Sequence, residues 1–408
     1  MTHTKAPFRL FYIDYLRAFM VLLVVFEHAL LPYSPHFKNT AYIPDFGGDV
    51  FFDIFHYHND TVMMPFLFLL AGMFVIPSLK RRGYLDFSRE KFFRLVVPFV
   101  VGVTVLVSPQ TYFKYLIKTD PHISYGDYLT KVYFFDNLAP SGFWFLFYLF
   151  LLTFGLLFLY VIWPALVKIM GRIIEWMTAH PVLGFGLFFG VSALILVVSD
   201  LLWGATWWVG FPPVFYFGPG SRFLMMIFFF ALGVGISEIG LNQNTVFLEK
   251  LGKSWPKWVL LGGVSGALYM GYSLAYYHEG AYNYEFLRHL AYEGSWKEGW
   301  PILKEYAPPV LIRTTFLGFF LCSLTIMYFS LFYRFLNKEN VVWQSLAACS
   351  FGIYIFHEPL QVPATYYFYG MDISVYLKFI LVLSISWFGS WFLVQKILLK
   401  LPGFNRVL

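Results

Sequence analysis

Apolar residues fill this chain in long runs, nearly end to end, broken by short polar connections. A helix needs about 20 predominantly apolar residues to cross a hydrocarbon layer roughly 30 Å thick. Windows that meet this requirement fall at 11–31, 62–79, 92–109, 143–165, 181–202, 222–238, 257–277, 311–335, 347–368 and 375–399. Ten spans predict an all-α fold, a polytopic transmembrane helical bundle in the lipid bilayer. Segment 92–109 is short and ends at Pro109, and segment 222–238 opens with Arg222 and closes with Glu238.

Lys and Arg in the connections set the orientation of such a bundle. With the N-terminus inside, one side receives Lys5, Arg9, the cluster Lys80, Arg81, Arg82, Arg89, Lys91 and Arg94, and later Lys168, Arg172, Lys250, Lys253, Arg334, Lys338, Lys396 and Lys400. The other side receives fewer, and its longest connection, about 278–310, carries five glutamates. Both termini are therefore expected in the cytosol. The outer connections at about 32–61, 110–142 and 278–310 are rich in Tyr, Trp, His and Pro, which suits either an aromatic belt at the headgroups or a rim that stacks on sugars.

Composition agrees with the pattern. Of 408 residues, 59% are hydrophobic, 23% aromatic and 13% charged, against about a quarter charged in soluble domains. No linker or low-complexity tract marks a boundary, so one membrane domain over residues 1–408 is expected. The net charge of +6 does not signal nucleic acid, because the basic residues sit at the ends of apolar runs. Cys322 and Cys349 both lie inside apolar stretches and build neither a disulfide framework nor a metal site. The first apolar segment contains Asp14, Arg17, Glu27 and His28, unlike a cleaved signal peptide, so it reads as a retained helix.

That first segment carries the chemistry. Charge at mid-membrane is costly and usually faces a bundle interior or a wet cavity. Arg17 and His28 are eleven positions apart, about 20° around a helix and about 16 Å along it. Asp14, three positions before Arg17, sits on the same stripe and can pair with it. Glu27 points about 100° away. One face thus carries a carboxylate–guanidinium pair at one end and an imidazole toward the other, which predicts a shared functional cavity.

Here the sequence resembles acyltransferase family 3. Asp-x-Leu-Arg-Ala, from Asp14 to Ala18, and Arg-x10-His, from Arg17 to His28, look like that family's opening. MPFLFLLAGMF from Met64 resembles its second helix, with Ala71 where a serine is usual. FSREKFFRLVVPF from Phe87 resembles the basic entry to its third helix, with Lys91 and Arg94 in the basic positions; a lysine there keeps the charge but loses the planar fork. GFWFLFYLF from Gly142 places Trp144 in a motif position, and SFGIYIFHEPL from Ser350 places His357 and Glu358 in another. Within the family, the helix-one pattern and short outer loops resemble the branch that succinylates periplasmic glucans.

The resemblance implies a multi-pass protein of the bacterial inner membrane. It would move an acetyl or succinyl group from cytosolic acyl-CoA, a co-substrate and not a bound cofactor, to a hydroxyl of a glycan acceptor outside. His28 is the expected general base or covalent acyl carrier. Arg17, neutralised by Asp14, would bind the donor or stabilise the oxyanion. Lys91, Arg94 and Arg89 would hold donor phosphates; Trp144 and His357 would serve substrate or structure. Some relatives carry a fused extracytoplasmic domain; none is expected here, and the single domain or a separate extracytoplasmic partner protein is expected to finish the job. His56 and His58 are thin support for a metal and read as interfacial loop histidines, so no metal site is expected. The competing reading is a proton-coupled transporter or flippase that uses Asp14, Arg17 and His28 as a relay.

Overall fold

A computed structural model describes residues 10–203, 208–211, 214–276 and 296–402. The polypeptide is a helical bundle, with a single two-stranded hairpin among the described residues. Helix α1 spans Phe11–Leu30 and ends where Pro32 enters a 3-10 turn, since proline cannot donate the next helical hydrogen bond. Helix α2 runs over Val50–Arg82, opened by the Asp49 carboxylate, which accepts from the Phe51 amide, and stopped by Gly83 at φ 77°. That left-handed conformation favours glycine.

Helix α3, Tyr84–Val101, continues through a π turn at Gly102–Leu106 into α4, Val107–Lys118. The turn lies where the Phe143 ring presses on Gly102, closer than any side chain would allow. Then follow α5 (Trp144–Ile162), the amphipathic α6 (Ala165–Ala179) and α7 (Pro181–Trp203). Strands β1 (Trp208–Phe211) and β2 (Phe215–Pro219) pair antiparallel before α8 (Gly220–Glu238). Helices α9 (Thr245–Lys253), α10 (Trp255–Tyr276), α11 (Trp296–Leu336), α12 (Val341–Phe368) and α13 (Val375–Phe392) complete the chain.

Among the described residues, nine helical segments are long and apolar enough to cross a membrane. The tenth expected span, α12, is not among them, because its outer half carries His357, Glu358, Gln361 and Thr365, all buried. Its contacts nevertheless carry it from one end of the bundle to the other. Tyr15, near the start of α1, accepts a hydrogen bond from the Asn340 amide at 3.1 Å, while His357 meets His28 near the end of α1. Helix α12 therefore runs parallel to α1. Helix α13 returns, from the Lys378–Asp45 pair beyond the end of α1 to Trp391, which donates to Ser345 near the start of α12. The first and last described helices thus open and close on one face, termed here the near face; the opposite one is the far face.

Two elements differ from the sequence expectation. The stretch 50–61, expected as loop, is the first third of α2. Its polar residues Asp53, His56, His58, Asn59 and Asp60 mask a helix that buries Phe52 and Tyr57. The β hairpin had no forecast; its four- and five-residue strands are too short to stand out beside helical spans. Much of the connection at 278–310 lies outside the described residues.

Helices α2 and α8 pack in backbone contact. A Cβ on Gly233 would lie 2.0 Å from the Leu69 carbonyl oxygen, and one on Gly72 would lie 2.2 Å from that of Phe230. Small residues permit such approach between membrane helices. Gly233→Ala is expected to destabilise the fold by about 2 kcal/mol through forced separation. Gly263→Ala, where nothing lies within 4 Å, should be neutral or slightly stabilising. Thermal unfolding of both variants in nanodiscs checks this; equal melting temperatures would refute the close approach.

Candidate functional site

A cavity of about 730 Å³ opens among α1, α2, α4, α5, α7, α8, α11 and α12, and the connections that join them at the far face. His28 lines it from α1 and Glu358 from α12. The His28 Nε2 atom lies 3.2 Å from Glu358 Oε1, and the two side chains are 27% and 6% exposed. The imidazole's other nitrogen, Nδ1, lies 2.9 Å from the Val24 carbonyl and 3.1 Å from His357 Nε2. His357 Nδ1 in turn points at the Tyr354 carbonyl at 2.7 Å.

These contacts assign the protons. His357 donates from Nδ1, so its Nε2 accepts, and His28 Nδ1 must be a donor toward Val24 and His357. Across the ring, Nε2 faces a carboxylate that already accepts from Ser141 Oγ at 2.6 Å. Nε2 and Oε1, 3.2 Å apart, are close enough to pass a proton between them.

Local sequence explains how Glu358 is held. Pro140 leads into a 3-10 turn at Ser141–Phe143 that opens α5. Ser141 sits at φ 46°, left-handed for a non-glycine residue, which costs about 1–3 kcal/mol and aims its hydroxyl at Glu358. A Cβ on Gly142 would lie 3.3 Å from Glu358 Oε2, so only glycine leaves the carboxylate full room. One turn earlier on α12, the Tyr354 hydroxyl donates to the Gly142 carbonyl. Gln361 donates to the His28 carbonyl, which fixes α1 against α12 from the other side. Tyr42, in the connection after α1, borders the same carboxylate: burial first, and then Glu358, push its phenol well above its usual range, opposed by a hydrogen bond with Ser141. It stays a neutral hydroxyl at any working pH.

The neighbouring residue of α1 builds a second pair. Glu27, 3% exposed, lies 2.5 Å from His56 Nδ1 and accepts from Asn59 at 3.2 Å. His58 contacts Asn59 at 2.9 Å and Tyr328 at 2.8 Å. Both histidines thus sit in the bundle and not in an interfacial loop.

The three residues of the helix-one stripe do not share one cavity. His28 lines it; Asp14 and Arg17 do not. Arg17 pairs with Asp14 at 3.4 Å, about 16 Å along α1 from His28, and so cannot touch a carbonyl held at His28. It lies instead among near-face cations: Lys91 is within electrostatic reach of Arg94, Arg82 and Arg17. Glu90 pairs with Arg82 and, at 3.6 Å, with Arg94, and Arg94 lies over the Phe351 ring of α12 at 5.8 Å. Arg89 is exposed. Trp144 lines the cavity, and Gly218 of β2 abuts its indole. His357 is buried behind His28.

Sequence reasoning named Glu358 only as a motif residue, and it missed Ser141, Gln361, Arg222 and Arg313 at the cavity. The motif around Gly142 and the motif around Glu358 were both legible, yet 217 positions separate Ser141 from Glu358, and no spacing rule joins them. Donor atoms of His28, His357 and Glu358 lie within 4.8 Å of one another. By type they would suit zinc, but the hydrogen bonds above already engage each of them.

Comparison with curated proteins and with solved structures returns no match. A family profile described as an acyltransferase domain matches residues 10–395, and the transporter reading gains no comparable support. This multi-pass membrane chain, with a histidine–carboxylate pair in a far-face cavity, therefore belongs to acyltransferase family 3.

Proposed function

We propose that this protein moves an acyl group, acetyl or succinyl, from cytosolic acyl-CoA to a hydroxyl of an extracytoplasmic glycan, in a bacterial inner membrane. The observation that carries this reading is the His28–Glu358 pair in a cavity of about 730 Å³, on the same helix as the Arg17 cluster near its other end. The near face is taken as cytosolic on the distribution of Lys and Arg.

An alcohol attacks a thioester only as its proton leaves. In the reactive form His28 is neutral beside the Glu358 carboxylate, and the acceptor hydroxyl donates to Nε2. As the hydroxyl oxygen bonds the thioester carbon, its proton passes to Nε2; the C–S bond then breaks, and the thiolate of CoA takes a proton. Glu358, which faces the same nitrogen at 3.2 Å, stabilises by its charge the imidazolium that forms between these events. Ser141 and Tyr354 keep Glu358 in place. At the near face, Arg17, Arg82, Lys91 and Arg94 outnumber Asp14 and Glu90 and would hold the donor phosphates. The pantetheine arm would reach from there toward His28, a span of about 16 Å along α1.

Purified protein in nanodiscs, given acetyl-CoA or succinyl-CoA with an envelope glycan, should release CoA thiol in an acceptor-dependent way. His28→Ala should lower kcat/KM by about 10³-fold, and Glu358→Gln by about 10²-fold. Undiminished release in His28→Ala would remove it as the base. Joint replacement of Lys91 and Arg94 by Ala should raise the donor KM about tenfold or more and leave the acceptor KM unchanged. An unchanged donor KM would move the donor site elsewhere.

A further inference from the structure

The cavity carries a second set of polar groups, on helices that do not hold His28 or Glu358. Asp60 of α2 pairs with Arg222 of α8, whose guanidinium also donates to the Asp60 carbonyl at 2.9 Å. Asp200 of α7 pairs with Arg313 of α11 at 3.5 Å, and both side chains are at most 3% exposed. Beside them Trp144 and Trp208 meet at right angles, ring centroids 5.7 Å apart. All six residues line the same cavity. The buried Asp200–Arg313 pair is costly to desolvate, and helix packing alone does not call for both pairs to face a cavity.

We propose that this wall is an acceptor subsite for an uncharged sugar ring, its hydroxyls bound by the Asp60–Arg222 and Asp200–Arg313 pairs and its apolar face by the Trp144–Trp208 corner. The inference rests on the acyl-transfer reading and names the class of acceptor. A sugar hydroxyl donates and accepts at once, so one hydroxyl donates to the carboxylate of a pair while a neighbouring one accepts from the guanidinium. Neither charge is left uncompensated. The C–H face of the ring suits an indole surface, apolar and rigid.

Charge argues against an anionic ring. The lining holds four carboxylates, and each faces a partner: Asp60 and Asp200 an arginine, Glu27 His56, and Glu358 His28. The remaining cation of the described lining, Lys114, lies over the Tyr42 ring at 5.9 Å. A uronate or a phosphorylated sugar would shed its water beside four carboxylates, with both guanidiniums already engaged. The volume falls within the roughly 300–1,000 Å³ usual for small-molecule sites.

Calorimetric titration of the full chain in nanodiscs tests this without any donor. The probes are neutral glucose, galactose and mannose oligosaccharides, each compared with the same oligosaccharide oxidised at C6 to its uronate. At least one neutral probe should bind, with its uronate counterpart about tenfold or more weaker. Asp200→Asn and, independently, the exposed-residue variant Trp208→Leu should each weaken that binding about tenfold. Uronates that bind as tightly as their neutral parents, no binding by any neutral probe, or neutral binding unaffected by both substitutions would overturn the subsite. CoA release on the same preparation reports separately on acyl transfer, so the two readings fail distinguishably.

Discussion

A buried carboxylate is tolerated only when other groups supply what water would have supplied. Glu358 meets that condition through His28, 3.2 Å away, and through the Ser141 hydroxyl. The rest of the far-face architecture follows from this contact. It ties α1 to α12, it requires the left-handed turn at Ser141 and the bare backbone at Gly142, and it keeps α12 too polar to count as an ordinary span. Adjacent Glu27 makes the equivalent tie from α1 to α2 through His56 and Asn59. Two neighbouring residues of one helix thus hold the helices on either side, and both line the cavity that the ties create.

The near face is organised by the opposite charge. Arg17, Arg82, Lys91 and Arg94 converge around Glu90 and Asp14, and Lys80 adds a contact to Glu238 at 2.9 Å that joins α2 to α8. Cations in excess of carboxylates suit a polyanionic ligand, whereas the far-face cavity carries its charges in matched pairs. The molecule therefore presents two chemically distinct ends along one helix. That asymmetry suits the transfer proposed above, between a phosphate-rich donor and a hydroxyl-rich acceptor.

Much of this could be read from the chain. Long apolar runs gave the helices because a span needs little beyond length and apolarity, and the stripe from Asp14 to His28 pointed to the right helix because its charges were out of place in lipid. What failed did so for physical reasons. Helix α2 begins twelve residues before its apolar run, because partners elsewhere in the fold satisfy Asp53, His56 and Asn59 in ways hydropathy does not register. Helical phase correctly put Arg17 and His28 on one stripe, but phase ignores distance along the axis, and the two end up at separate sites. Glu358, Arg313 and Asp200 acquire meaning only from contacts that span 113 positions or more.

The central claim is the proposal that one helix carries a donor site at its near face and the proton-accepting base at its far face. Unidirectionally oriented proteoliposomes test it most directly, with acyl-CoA confined to one compartment and a neutral oligosaccharide acceptor to the other. The account predicts acylated oligosaccharide only when acyl-CoA faces the Arg17–Lys91–Arg94 side and the acceptor faces the His28 side. Transfer of equal rate in the reversed arrangement, or only with donor and acceptor both on the His28 side, would contradict it.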